Sequence, residues 1–405
     1  MTKIIAIDND IINDPPSFEV TWDMGRRCNF DCTYCPDHRH NNTSPHASLE
    51  TLIKTSKFVF DYKKLMQEQM TFNRIWRIGF TGGEPTNNPN FIDMCEYIQE
   101  QNDPDIKVDV TSNGTFNEKY CNKLINAVDS ATISYHCEEK QKVKDRVVER
   151  IYQLKDYNFK YKVNLMIHAN PIYFKECMQL VERFTKDNIR FVPRIIGEHY
   201  DNDRYSHRYT SEQHKFFRDF WANKNKKIND NKPDESKDAE YEYKDDHKHS
   251  TRKDLGRPCC GQRVFHTLDE DEYKNNNKQL DTNKWKKSVF ACATEYKEWS
   301  CMINWNWLHI EQEYDRILHH QTCRANFGGK RGEIGTITNC DKIIERLEKQ
   351  FATGTMPVIT CPNKVCGCGL CVPKSQYNDM TEAMFSKAIK NLKPIIGAEL
   401  INEPF

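Results

Sequence analysis

The stretch Phe18-Glu-Val-Thr-Trp-Asp-Met-Gly-Arg-Arg-Cys-Asn-Phe-Asp-Cys-Thr-Tyr-Cys35 joins a strand pattern to a loop that carries three thiols. Phe18, Val20 and Trp22 alternate with Glu19, Thr21 and Asp23, the period of a β-strand with one apolar face. Outward from there the chain keeps alternating. Ser48 to about Gln69 reads as a helix with Leu49, Ile53 and Phe60 on one face and Ser48 as its N-cap. Ile75 to Phe80 is a second strand, and Asn90 opens a helix with Phe91, Met94, Cys95 and Ile98 at helical spacing. Ile106–Thr111 is a third strand, followed by a helix through Tyr120, Leu124, Ile125 and Val128. Ala131–His136 is a fourth, followed by the stripe Val143, Val147, Ile151 and Leu154. Tyr161–His168 and Arg190–Ile196 complete six strands, with helices near 174–188 and 211–223. Strands alternating with amphipathic helices are parallel βα units. Six units fall short of a closed eightfold barrel and suit a doubly wound sheet or a partial, open barrel.

A chain of 405 residues has room for two or three average domains, or one large barrel with an appendage. Its 59 Lys and Arg balance 59 Asp and Glu, which argues against a phosphate backbone, and so nucleic acid, as the main partner. No apolar run approaches the roughly 18 residues of a membrane span. The start, Met1-Thr-Lys-Ile-Ile-Ala-Ile-Asp-Asn-Asp10, meets acidic residues too soon for a signal peptide, and a cytoplasmic location is expected. From 222 to 256 the chain is so polar that it reads as a linker, with His247 and His249 belonging to the solvated run rather than to a metal site. After it the alternation stops. A hairpin is expected from Met302–Ile310, a turn over Glu311–Tyr314 and a return over Arg316–His320, with helices near 341–351 and 380–392. The division is then 1–221 for the barrel, 222–256 for the linker and 257–405 for a smaller cysteine-rich domain.

Seventeen cysteines are too many for a long chain without a secretory start unless they bind metal. Cys95, Cys121 and Cys177 lie among apolar partners on helix faces and read as core. Cys28, Cys32 and Cys35 have the spacing CxxxCxxC in the loop after the first strand. Three thiolates at that spacing can hold three irons of a cubane cluster and leave the fourth open, as a catalytic centre requires. Zinc with His38 or His40 as fourth ligand, or free thiols, are the alternatives.

These residues resemble the radical SAM superfamily, in which S-adenosylmethionine chelates the open iron. The resemblance rests on the spacing, the loop after the first strand, and Tyr34 just before the third cysteine. It implies a partial (β/α)6 barrel over about 16–200, with ligands at the carboxyl ends of the strands. It also implies reductive cleavage of the sulfonium to methionine and a 5′-deoxyadenosyl radical that abstracts a hydrogen atom, with an electron donor such as flavodoxin or ferredoxin. Gly82-Gly83-Glu84-Pro85, at the end of the second strand, resembles the motif that receives the cofactor's amino group. Thr111-Ser112-Asn113-Gly114 resembles the family's ribose contacts. Ser134 is expected to touch the cofactor, and His136, on the same face, to touch substrate or a neighbour. Arg194 is expected to pair with the cofactor's carboxylate or to form a structural salt bridge.

Cys301, Cys323, Cys361, Cys366, Cys368 and Cys371 resemble the SPASM and Twitch extensions, which hold auxiliary [4Fe-4S] clusters. The knuckle departs from the family pattern, because Cys366-Gly-Cys368 is too tight. One cluster, two clusters with help from Cys259 or Cys260, or a structural zinc knuckle are compatible with it. Radical SAM enzymes of this architecture mostly modify peptides or proteins. A small molecule, a nucleotide or tRNA is the alternative substrate, and a non-catalytic iron–sulfur scaffold or redox sensor is the alternative of another class.

Overall fold

The computed structural model describes residues 3–7, 17–35, 39–69, 73–196, 209–230, 265–268, 300–301, 303–305, 307–319, 326–327, 330–331, 333–353, 356–357, 359–360, 374–375 and 400–401. After a first short strand, β1 (Lys3–Ile7), the alternating residues form β2 (Phe18–Asp23), with Phe18, Val20 and Trp22 buried. Then follow α1 (Leu49–Glu68), β3 (Trp76–Thr81), α2 (Phe91–Glu100), β4 (Ile106–Ser112), α3 (Glu118–Ala127), β5 (Ser130–His136) and α4 (Gln141–Asp156). The first half ends with β6 (Tyr161–Ile167), α5 (Pro171–Lys186), β7 (Phe191–Ile195) and α6 (Ser211–Asp230). Ser48 caps α1 by accepting a hydrogen bond from the Thr51 N–H. The buried face of α1 is Leu52, Val59, Tyr62 and Met66, whereas Leu49 and Phe60 pack only at its margin. The reason is that α1 lies under Trp76 and the backbone of Asn304, which turns its Tyr62 side inward.

Strands β2 to β7 pair in parallel and in chain order. A doubly wound sheet reverses its order at a switch point. This one does not reverse. Its strands are buried on one face and half-exposed on the other, and the buried residues Ile78, Val108, Ile133 and Leu165 belong to the core that also contains helix residues Met94, Leu124 and Ile151. Parallel sheets are ordinarily covered on both faces. A single covered face with a polar opposite face is the wall of an open barrel.

The chain after the polar stretch contributes β8 (Phe265–Leu268), β9 (Ser300–Cys301), β10 (Trp307–Glu311), β11 (Arg316–Leu318), β12 (Asn326–Phe327), β13 (Lys330–Arg331) and β14 (Glu333–Gly335). It ends with α7 (Asp341–Ala352), β15 (Met356–Pro357), β16 (Ile359–Thr360), β17 (Lys374–Ser375) and β18 (Leu400–Ile401). The expected hairpin is β10 and β11, antiparallel with Ile310 opposite Ile317. Its first strand starts at Trp307, because Ile303–Trp305 form a short 3₁₀ turn that buries Ile303 and Trp305. This hairpin is no separate module, since β10 pairs in parallel with β2 and extends the barrel sheet to the order β14-β11-β10-β2-β3-β4-β5-β6-β7. Helix α6 likewise continues to Asp230, inside the stretch read as linker. A second sheet runs β16-β9-β17-β1-β8, and two two-stranded pairings, β12 with β13 and β15 with β18, complete the ladders. Among the described residues no helix is long and apolar enough to cross a membrane. The helix expected near 380–392 lies outside the described residues.

Candidate functional site

The carboxyl ends of β2, β3, β4 and β5 converge on the thiol loop. The loop has almost no regular structure, so other segments must hold it. On one side, Cys28 N–H donates to Asn41 O at 2.7 Å and Asn41 N–H donates to Arg26 O at 2.9 Å. On the other, Gly83 N–H donates to Gly25 O at 2.6 Å and Glu84 N–H donates to Arg27 O at 2.8 Å. A Cβ on Gly83 would lie 2.3 Å from Arg27 O and 2.5 Å from Arg26 O, and one on Gly82 2.6 Å from Asp23 Oδ1. The two glycines therefore serve first to let two loop backbones touch, with Gly82 at φ +111°.

Glu84 is buried. Its Oε1 accepts from Thr86 N at 3.0 Å, Thr86 Oγ1 at 2.6 Å and Ser112 Oγ at 2.8 Å, and its Oε2 accepts from Asn113 N at 2.6 Å. Burial raises its pKa, while the same four hydrogen bonds pull it down. Pro85 follows at the start of a short 3₁₀ turn that Glu84 caps. Asn113 also donates its Nδ2 to Asn29 Oδ1 at 2.7 Å, tying the end of β4 to the residue after Cys28. Glu84, Ser112 and Asn113, expected as separate cofactor contacts, thus form one hydrogen-bonded unit that braces the loop.

The far side of the loop rests on β5. Tyr34 stacks on His136 with ring centroids 5.9 Å apart, and its hydroxyl reaches His136 Nδ1, which lies 3.3 Å from Cys32 Sγ. Burial pushes the His136 imidazole down to about 4, so it is neutral at physiological pH. Thr33 donates its N–H and hydroxyl to Glu138, at 3.2 and 2.5 Å. Phe30, Cys32, Tyr34 and Ile196 form a small apolar cluster against which Cys28 and Cys35 pack. Ser134 lies on the half-exposed face of β5, opposite Asn164 in register. Arg194, exposed near the carboxyl end of β7, donates Nε to Asn164 Oδ1 at 3.2 Å.

Burial pushes the Cys28 thiol up to about 11, with Glu84 and Cys35 raising it further, and pushes the Cys32 thiol far above its usual value, with Cys28 and Cys35 raising it further. Left alone, these thiols stay protonated; a bound metal would supply the positive charge that makes them thiolates. Among the described residues no three His, Cys, Asp or Glu converge on a point as one metal ion requires. A cubane makes no such demand, because each thiolate takes its own iron. His40 Nε2 donates to Asp31 Oδ1 at 2.9 Å. The three thiols therefore fit an iron–sulfur cubane better than zinc. His38, Cys259, Cys260, Cys323, Cys361, Cys366, Cys368 and Cys371, with His247 and His249, lie outside the described residues, and Cys301 is described by its backbone in β9.

The Radical SAM superfamily model matches residues 22–204, which span this whole assembly. Residues 22–204 are thus a radical SAM superfamily domain. The chain is an enzyme, and that superfamily's cofactors are a [4Fe-4S] cluster and S-adenosylmethionine. Among solved structures, a histidine-tagged anSMEcpe with bound AdoMet is similar at 12% identity over 83% of this chain and 82% of that one, with a TM-score of 0.46. "Native anSMEcpe with bound AdoMet and Kp18Cys peptide" is similar at 14% identity over 83% and 82%, with a TM-score of 0.45. "BtrN in complex with AdoMet and 2-DOIA" is similar at 18% identity over 32% and 55%, with a TM-score of 0.22. No curated protein matches the chain.

Three contributors had no signal in the sequence. Asn41 holds Cys28 through its backbone, Glu313 binds Arg26 from the hairpin turn, and Tyr209 accepts from Ile196 N–H at 2.8 Å while donating to Ile167 O at 2.5 Å.

Proposed function

We propose that this radical SAM enzyme cleaves S-adenosylmethionine reductively and abstracts a hydrogen atom from a peptide or protein substrate. The observation that carries the reading is the thiol loop welded to the Gly82-Gly83-Glu84-Pro85 turn beside a polar concave wall. Bound there, the cluster and S-adenosylmethionine would supply the electron and the 5′-deoxyadenosyl radical. Cys28, Cys32 and Cys35 would bind three irons, and the apolar Phe30, Tyr34 and Ile196 would keep water from them. The Gly82–Pro85 backbone and the Ser112–Asn113 strand end would orient the cofactor, with Ser134 facing it from β5 and Arg194 further along the wall.

The wall suits a polar, extended substrate. Trp307 Nε1 donates to Thr21 Oγ1 at 3.1 Å, and Arg77 pairs with Asp109 at 3.3 Å, so the face opposite the apolar core offers donors and acceptors along successive strands. Such a face matches the repeated amides of a peptide. The auxiliary cluster belongs to the same reading. Strand β9 holds Cys301 between β16 and β17, opposite Ile359 and Lys374, and residues 361–373, which carry Cys361, Cys366, Cys368 and Cys371, join those two strands in the chain. That topology supports Cys301 sharing a cluster with ligands from those four cysteines, with Cys323 as a further candidate. A small flavodoxin or ferredoxin is the electron donor this chemistry calls for.

The test is anaerobic reconstitution, reduction with dithionite and measurement of 5′-deoxyadenosine. Replacing Cys28, Cys32 and Cys35 together by Ala abolishes its formation while auxiliary iron remains. Co-expression with short peptides encoded beside the gene, followed by mass spectrometry, addresses the substrate. Unmodified peptides alongside turnover of a small metabolite would overturn the peptide class.

A further inference from the structure

The loop that carries all three thiols is closed at its base by one carboxylate from the other half of the chain. Glu313 sits in the turn between β10 and β11. Its Oε2 accepts from Arg26 N at 2.6 Å, and its Oε1 accepts from Arg26 Nε at 2.8 Å, Arg26 Nη2 at 2.5 Å and Ser44 Oγ at 2.8 Å. Arg26 precedes Cys28, and Ser44 follows Cys35, so a single carboxylate grips both stems of the loop. Gly25 makes room for it, since a Cβ there would lie 3.1 Å from Glu313 Oε2. The turn itself is fixed. Gln312 N donates to Asp23 O at 2.9 Å, and Gln312 Oε1 accepts from Trp22 Nε1 at 3.0 Å.

The contact is relayed to the first thiol in two steps. Asn41 N donates to Arg26 O, and Asn41 O accepts from Cys28 N, while Asn41 and Ser44 exchange hydrogen bonds at 2.9 and 2.7 Å. Displacing Arg26 therefore displaces Asn41 and the backbone of Cys28. Closing both stems of a loop removes much of its conformational freedom, and several bonds to one rigid acceptor fix its direction as well. Glu313 touches none of the sulfurs.

From this geometry we infer that Glu313 is a positioning residue for the reaction centre: through Arg26 and Ser44 it sets where the three thiolates stand relative to S-adenosylmethionine. The C-terminal hairpin is thereby part of the radical-generating machinery and not an appendage to it. The inference rests on the thiol loop being the cluster loop.

The test uses the full chain, reconstituted anaerobically, as wild type, Glu313→Ala, Glu313→Gln, Arg26→Ala and the Glu313→Ala/Arg26→Ala double variant. The readouts are iron per chain, the electron paramagnetic resonance spectrum of the reduced cluster before and after S-adenosylmethionine, and the affinity for S-adenosylmethionine. Glu313→Ala should weaken that affinity about tenfold and diminish the cofactor-induced spectral change, at unchanged far-ultraviolet circular dichroism. Arg26→Ala should match it, the double variant should be no worse than either, because the two residues act as one unit, and Glu313→Gln should lie between. A wild-type spectrum and affinity in Glu313→Ala, or single effects that multiply in the double variant, overturn the inference. If Glu313→Ala fails to fold, Glu313→Gln and Ser44→Ala decide by the same readouts: wild-type values in both overturn it. A wild-type protein whose spectrum ignores S-adenosylmethionine removes the functional reading itself, and this inference with it.

Discussion

Gly83 lies flat against Arg27: a Cβ on the glycine would stand 2.3 Å from the arginine's carbonyl oxygen, and the next residue's N–H donates to that same oxygen at 2.8 Å. The glycine-rich turn and the thiol loop are therefore one body. Gly-Gly in this motif answers a packing requirement of the protein before it answers any requirement of a ligand.

Gly83→Ala should accordingly separate the two loops. The obstruction is backbone, which cannot rotate aside, so the cost lies toward the upper part of the ~1–3 kcal/mol range for overpacking. Thermal unfolding of the reconstituted enzyme should fall by several degrees and bound iron should drop. Gly79→Ala is the control, because a Cβ there meets nothing nearer than Val20 O at 3.9 Å. Equal losses in both variants would remove the packing argument.

Glu84→Gln should destabilise the protein as well as weaken cofactor binding. All four groups that meet the carboxylate donate to it, and each carboxylate oxygen faces one backbone N–H, so the amide nitrogen of a glutamine meets donor with donor in either orientation. The expected loss is about 1–3 kcal/mol, read as a lower urea midpoint. An unchanged midpoint with weakened S-adenosylmethionine binding would return the carboxylate to a direct contact.

Tyr209→Phe probes the support under the thiol loop. The hydroxyl bridges Ile196 N and Ile167 O, and Ile196 packs beneath Phe30 and Tyr34. Removing it leaves a buried N–H and a carbonyl without that partner, at a cost of about 1–3 kcal/mol. The melting temperature should fall, and iron at the loop should fall with it. A drop in melting temperature alone, at full iron content, would confine Tyr209 to the barrel rim.

His319 makes stability depend on pH. Burial pushes its imidazole down to about 3, from an ordinary value near 6.5. A base with a lowered folded-state pKa contributes stability in its neutral form, above pH 6.5. As pH falls below 6.5, the unfolded chain binds a proton that the fold refuses, and stability declines by ~1.4 kcal/mol per pH unit until about pH 3. His319→Leu should flatten that slope in a series of urea titrations. A slope the same in both proteins would show that other groups carry it.

The alternation of Phe18, Val20 and Trp22 with Glu19, Thr21 and Asp23 was enough to determine β2, and equivalent patterns determined the five strands that follow it and the Ser48 cap. Those signals are local: a strand's period and a cap's hydrogen bond lie within a few residues of the chain, where side-chain chemistry acts directly on the backbone. The thiol spacing was legible for the same reason, because three ligands on one loop need only be near in sequence. The partners of that loop were not. Glu313 stands 287 residues from Arg26, and nothing in Glu311-Gln-Glu-Tyr314 distinguishes the residue that clamps a loop from its polar neighbours. Likewise the apolar run of Trp307 to Ile310 reads as a hairpin strand in isolation. Only the meeting of β10 with the free edge of β2 made it part of the barrel wall, since an exposed strand edge takes whichever complementary backbone the tertiary fold brings to it.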